Sequence, residues 1–97
     1  SNQQIIQRVN QARALQMARQ GVVNARLDNQ QLKKVCPLNI EQQDFLDRAI
    51  NSYKLSTRSF HRLLKVARSI ADLAGNEIPN ISAYQEALSY RNQFTAR

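Results

Sequence analysis

Glycine and proline are scarce in this chain, with two of each in 97 residues. That leaves too few punctuation points for the many turns of a sandwich or barrel, so an all-helical chain is the first expectation. The glycines, Gly21 and Gly75, stand far apart, so they cannot build a glycine-rich phosphate loop, and each reads instead as a helix stop. Cysteine and histidine occur once each, as Cys36 and His61. No intramolecular disulfide and no ligand set of zinc-like spacing can be assembled from them. Cys36 reads as a small apolar residue and His61 as a polar residue on a helix surface. No apolar run approaches the roughly 20 residues needed to span a bilayer, and no charged-then-apolar leader opens the chain. A reducing, cytoplasmic setting is therefore expected. Acids are few as well: seven Asp+Glu face fourteen Lys+Arg, for a formal charge of +7 and a pI near 10.3. Such a surplus attracts polyanions or an acidic protein face.

What is present suits one compact module. The length is that of a single domain, 1–97, and a hydrophobic fraction of 42% is enough for a modest core. The opening Ser1-Asn2, without a methionine, reads as the remnant of a cleaved tag, so the natural protein is expected to continue upstream. Asn and Gln are abundant but scattered, as on solvated helix surfaces.

Periodicity marks about five helices. From Gln3 to Gln20, Ile5, Val9, Ala12, Leu15 and Ala18 recur at three- and four-residue steps, with Arg8, Arg13 and Arg19 on the polar side. Between residues 22 and 38, Leu27, Gln31 or Leu32, and Val35 allow a short helix with Asn24 as N-cap, ending before Pro37. Asn39 with Gln42 resembles a capping box, and Phe45, Leu46, Ala49, Ile50 and Tyr53 continue a helix to about residue 53. Lys54-Leu55 is a tight link to the strongest element. That helix is capped by Ser56 and striped by Phe60, Leu63, Leu64, Ala67, Ile70, Ala71 and Ala74, and Gly75 stops it. A last helix, capped by Asn80 or Ser82, carries Ile81, Tyr84, Ala87 and Leu88, with Phe94 as an outlying member.

The candidate chemistry is arginine on helices. Ten of the fourteen basic residues are Arg, whose planar fork suits phosphate and carboxylate. Arg58 falls on the first turn of the fourth helix, where a cation opposes the helix dipole. That placement hints at an anionic partner, and a phosphate could meet both Arg58 and the free N–H groups there. Arg62, Lys65 and Arg68, beside His61, form a ridge able to track a nucleic-acid backbone, with Asp72 a partial neutraliser four residues after Arg68. Arg8 and Arg19, about three turns apart on one side of the first helix, could meet phosphate or a neighbouring subunit. For every one of these, simple solvation is the competing reading.

The order of these pieces resembles a family. Arg8-Val9, Ala12-Arg13, Gln16 and Arg19, then the block from Leu55-Ser56-Thr57-Arg58 to Asp72-Leu73-Ala74-Gly75, and Glu86-Ala87-Leu88-Ser89-Tyr90-Arg91 look like the C-terminal helical domain of magnesium-chelatase-like AAA+ ATPases. The nearest branch is the competence-protein type. The likeness covers nearly the whole chain and is most specific from 55 to 75. It implies a helical lid packed on an upstream P-loop ATPase core, in a hexameric ring that uses ATP and Mg2+ and, in this branch, migrates DNA branches. It also implies that Ser56-Thr57-Arg58 is the sensor-2 motif, with Arg58 reaching the γ-phosphate of ATP. Walker A, Walker B, sensor 1 and the arginine finger are absent from the chain, and Pro79-Asn80 replaces a more ordinary polar turn. On this reading the chain alone turns nothing over. The main alternative is a stand-alone DNA-binding helical module that works through Arg8, Arg13, Arg19, Arg62, Lys65 and Arg68. A purely structural adaptor is the third.

Overall fold

The computed structural model describes residues 1–95. Among them are α1 (Asn2–Gln20), a 3₁₀ turn (Asn24–Arg26), α2 (Asn29–Val35), α3 (Ile40–Tyr53), α4 (Thr57–Ala74), α5 (Ile81–Ser89) and α6 (Arg91–Thr95), and no strand. The all-α expectation holds, with six helices where about five were expected. The fifth pattern divides at Tyr90, whose backbone N–H bonds back to Ala87 and Leu88 and ends α5. The side chain of Phe94 lies outside the described residues.

The starts of α1 through α5 are each set by a polar side chain closing an orphan N–H. Ser1, Asp28 and Asn39 form reciprocal capping boxes with Gln4, Gln31 and Gln42, while Ser56 and Asn80 accept from the backbone N–H three residues on. Three sequence expectations therefore stand: Asn39 with Gln42, Ser56, and Asn80 of the pair Asn80 or Ser82. A fourth is corrected: Asp28, not Asn24, caps the second helix, which is shorter than 22–38. Asn24 sits in the 3₁₀ turn, only 3% exposed, because its amide is engaged in contacts distant in sequence.

The middle of the fold is α4. It packs against α1, the 3₁₀ turn, α2, α5 and α6, and α3 joins by lying on α5. Leu63, Leu64, Ala67 and Ala71 form its buried stripe, and Leu27, Leu32, Leu46, Ala49, Tyr84 and Ala87 from the surrounding elements close the core. Truncating a fully buried leucine such as Leu63 removes both transfer energy and packing, a loss of about 2–5 kcal/mol. By contrast α1 buries only Ala12 and Gln16. The expected stripe through Ile5, Val9, Leu15 and Ala18 stays exposed, because the body reaches only the second half of α1 and does so along the line of residues 12 and 16.

Gly21 and Gly75 end α1 and α4 in the left-handed region, at φ 78° and 76°. α3 ends in the same conformation at Lys54, φ 55°, where a side chain costs energy that glycine avoids. The reversal is tight because the N–H groups of Lys54 and Leu55 both reach Ile50 O, which brings Leu55 into the core and Ser56 into capping position. The left-handed penalty relieved exceeds the chain entropy that glycine adds, so Lys54→Gly should stabilise the fold by roughly 0.5–1 kcal/mol, read as a higher urea midpoint at unchanged slope. A lower midpoint would mean that Lys54 contributes something the backbone geometry does not reveal.

Candidate functional site

α4 begins with Ser56 Oγ accepting from the Ser59 N–H and lying 3.0 Å from Ser59 Oγ. Immediately inside this cap stands Arg58, exposed, with no hydrogen bond or ion pair to any described residue. The first turn holds no acid to offset it. The helix beneath is held on several sides by the packing of α4.

From Arg58 an open groove of about 1130 Å³ runs down α4. Arg58, Arg62 and Lys65 supply its cationic stretch with His61 among them, Val66, Ile70 and Leu73 its apolar stretch, and Ala25, Asn29 and Gln93 come from neighbouring elements. Lys65 Nζ donates to Ala25 O at 3.1 Å, which ties α4 to the 3₁₀ turn while leaving the ammonium at the groove. His61 is half-buried, its ring tilted against Phe60 with centroids 5.9 Å apart. Arg8 and Arg13 are exposed on α1 and do not line the groove.

Two of the expected surface cations are instead structural. Arg68 is 1% exposed, so the ridge Arg62, Lys65, Arg68 loses its third member. Its Nη1 donates to Val35 O at 2.8 Å and its Nη2 to Asp72 Oδ1 at 2.9 Å and Asn76 O at 3.2 Å. The guanidinium thus neutralises a buried carboxylate and serves carbonyls at the C-terminal ends of α2 and α4, where positive charge is favoured. Arg19 is likewise engaged: it grips Asp72 through two bonds, at 2.8 and 3.2 Å, and Asn24 Oδ1 at 3.1 Å. Asn24 Nδ2 closes the cluster with bonds to Asp72 Oδ2 at 2.9 Å and Ser69 Oγ at 3.1 Å. The sequence held a signal for Arg68, which falls four residues after Leu64 and three before Ala71 and so on the buried stripe. Asn24 carried none, because its role comes from partners far along the chain.

Cys36 is buried with Sγ 3.7 Å from Leu64 O, and burial pushes its thiol up to about 11, in keeping with a small apolar role. Among the described residues no three His, Cys, Asp or Glu side chains gather as metal ligands, and no helix is long and apolar enough to cross a membrane.

Burial alone would raise the Asp72 carboxyl, but hydrogen bonds from Arg19 and Asn24 and the Arg68 charge outweigh it and hold the group below its usual range. A depressed acid contributes stability that is present above its unfolded value and lost as pH falls through the folded one. Asp72→Asn should therefore cost about 3–5 kcal/mol at neutral pH, since Arg68 is left buried without its counter-charge. The deficit should shrink toward pH 3. Urea titrations at the two pH values check this, and equal stability of both proteins at neutral pH would refute it.

Over residues 1–91 the chain matches the family described as magnesium chelatase, subunit ChlI C-terminal. It is 41% identical over 88 residues to the competence protein ComM of Haemophilus influenzae, covering 91% of this chain and 17% of that protein. It is also 41% identical over 91 residues to the uncharacterized protein YifB of Escherichia coli, covering 94% of this chain and 18% of the relative. YifB of Salmonella typhimurium is 37% identical over the same length. The chain thus spans under a fifth of these relatives. The matched span takes in α1 through α5, the groove residues of α4 and the Asp72 cluster. This chain belongs to the magnesium chelatase C-terminal family.

Proposed function

We propose that this chain is the helical lid of a magnesium-chelatase-like AAA+ ATPase and that Arg58 is its sensor-2 arginine, contacting the γ-phosphate of ATP. The observation that carries the reading is Arg58 itself: an exposed arginine with no described partner, at the start of the most firmly packed helix and the mouth of a cationic groove. The N–H groups of Thr57 and Arg58 lie at the same helix end, so one phosphate could be met by the fork and the backbone together. Because α4 is gripped by five other elements, a pull on Arg58 would move the bundle as a body, which is how a lid couples phosphate loss to ring motion.

The donors present suit a terminal phosphate and little more. No acidic cluster for Mg2+ occurs among the described residues, so in this reading the metal and most ATP contacts come from a P-loop core elsewhere in the parent. ATP bound there supplies a transferable phosphoryl group. Arg58 would orient and neutralise it, while Arg62 and Lys65 hold the surrounding potential positive. The parent is proposed to work as a hexameric ring that migrates branched DNA. Arg62 and Lys65 would face DNA or a neighbouring subunit, and Arg19 and Arg68, being ion-paired inside the cluster, would not.

The test is ATP hydrolysis by the full-length parent. Arg58→Ala should lower turnover on the order of 10²-fold, the usual loss for one preorganised donor, with circular dichroism unchanged. Arg58→Lys should recover only part of it, since a lysine offers no fork. Unchanged turnover in both variants would refute the sensor role. Fluorescence anisotropy of this chain with labelled duplex addresses the alternative: tight, steeply salt-dependent binding would favour a stand-alone DNA module working through Arg62 and Lys65.

A further inference from the structure

The first half of α1 presents a second surface, unconnected to the groove. Ile5 and Val9 lie on the same line as Ala12 and Gln16, at steps of three and four residues. The second pair is buried against the body, whereas Ile5 and Val9 remain 60% and 38% exposed. The stripe that docks α1 onto α4 therefore runs on, uncovered, beyond the point where the body ends. Two arginines border it. Arg8 sits on one edge, three residues after Ile5 and four before Ala12, and Arg13 on the other, four after Val9 and three before Gln16. Both are exposed.

We propose that this half of α1 is a protein docking face whose partner is a surface with an apolar ridge edged by carboxylates. Three observations select that occupant. The face continues an existing helix contact of the same geometry, so the shape it asks for is another helix or ridge. Its rim is purely cationic: α1 holds Arg8, Arg13 and Arg19 and no acidic residue. A second copy of the chain would thus set arginine against arginine, whereas carboxylates complement it. Nucleic acid would satisfy the arginines but leave Ile5 and Val9 in water, since phosphate contacts cover no aliphatic surface. The inference does not depend on the role of Arg58, which lies on a different helix.

The test uses this chain and a fluorescein-labelled synthetic helix of about 20 residues, long enough to be helical, with leucines at i, i+3 or i+4 and i+7 and glutamates on both flanks. Anisotropy should show binding that weakens with salt, and a version with lysine for every glutamate should not bind. Ile5→Ala with Val9→Ala should weaken binding about tenfold, as expected for removal of central anchors. Alanine favours helix, so circular dichroism should hold steady. Arg8→Glu with Arg13→Glu should also weaken it, and Leu15→Ala, off the stripe, should leave it unchanged. Failure of the acidic helix to bind overturns the proposal. So does equal binding of the acidic and lysine helices, or self-association of the chain in sedimentation that Ile5→Ala with Val9→Ala abolishes.

Discussion

The structure hangs on one buried carboxylate. Asp72, with its side chain 1% exposed, holds Arg68 from its own helix and Arg19 from α1, and takes Asn24 from the 3₁₀ turn as a third donor. Two guanidinium groups around one acid leave a net positive centre, and two carbonyls absorb part of that excess: Val35 O at the end of α2 and Asn76 O beyond α4. Four separate pieces of chain thereby share a single electrostatic anchor. A buried ion pair contributes little net energy beside a well-packed apolar alternative, because desolvation offsets the attraction. Its use here is geometric. Bonds with fixed direction specify where α1 crosses α4, a choice that the sparse apolar contact through Ala12 would leave loose.

That placement decides which cations are available for function. With Arg19 and Arg68 drawn inward, the candidate cations left at the surface are Arg58, Arg62 and Lys65 on α4 and Arg8 and Arg13 on α1. Along α4 the 3₁₀ turn forms part of the opposite wall, and Lys65 is held to it through Ala25 O. The anchor at Asp72 fixes the same turn through Asn24, whose amide also bonds Ser69 Oγ on the groove wall, so the groove beside Arg58 and the polar cluster are joined. Disturbing Asp72, which does not line the groove, would therefore reach it through Asn24 and Ser69.

Much of the fold was legible in the sequence because its signals are local. The boundaries of α3 and α4 follow from Asn39, Gln42, Ser56 and Gly75, whose side chains or lack of one act within a single turn. The buried stripe of α4 follows from spacing alone. Where the reading failed, the deciding contacts were distant. Asn24 has the composition of a cap and the environment of a core residue, since its partners are Ser69 and Asp72. Arg68 was placed on the surface by its charge although its position on the helix pointed inward. Charge type is the weaker guide whenever an acid lies four residues on and a carbonyl-rich helix end is near. The exposed apolar residues of α1 misled in the opposite sense, because a hydrophobic period shows that a face can be covered and does not say by which molecule.

Arg58, Arg68 and Arg8 thus separate by surroundings rather than by residue type. Arg68 is surrounded by acceptors from the chain itself, and its charge is spent inside the fold. Arg8 has open surface and an aliphatic stripe beside it, so charge there can only edge an apolar contact. Arg58 has open surface and a helix end beside it, and that positive end favours an anion over a hydrophobe. A phosphate satisfies the last environment, a carboxylate-edged protein face the second, and neither could displace the internal carboxylate from the first. One basic chain can in this way serve a nucleotide, a protein partner and its own stability with the same side chain, provided the helices keep the three settings apart.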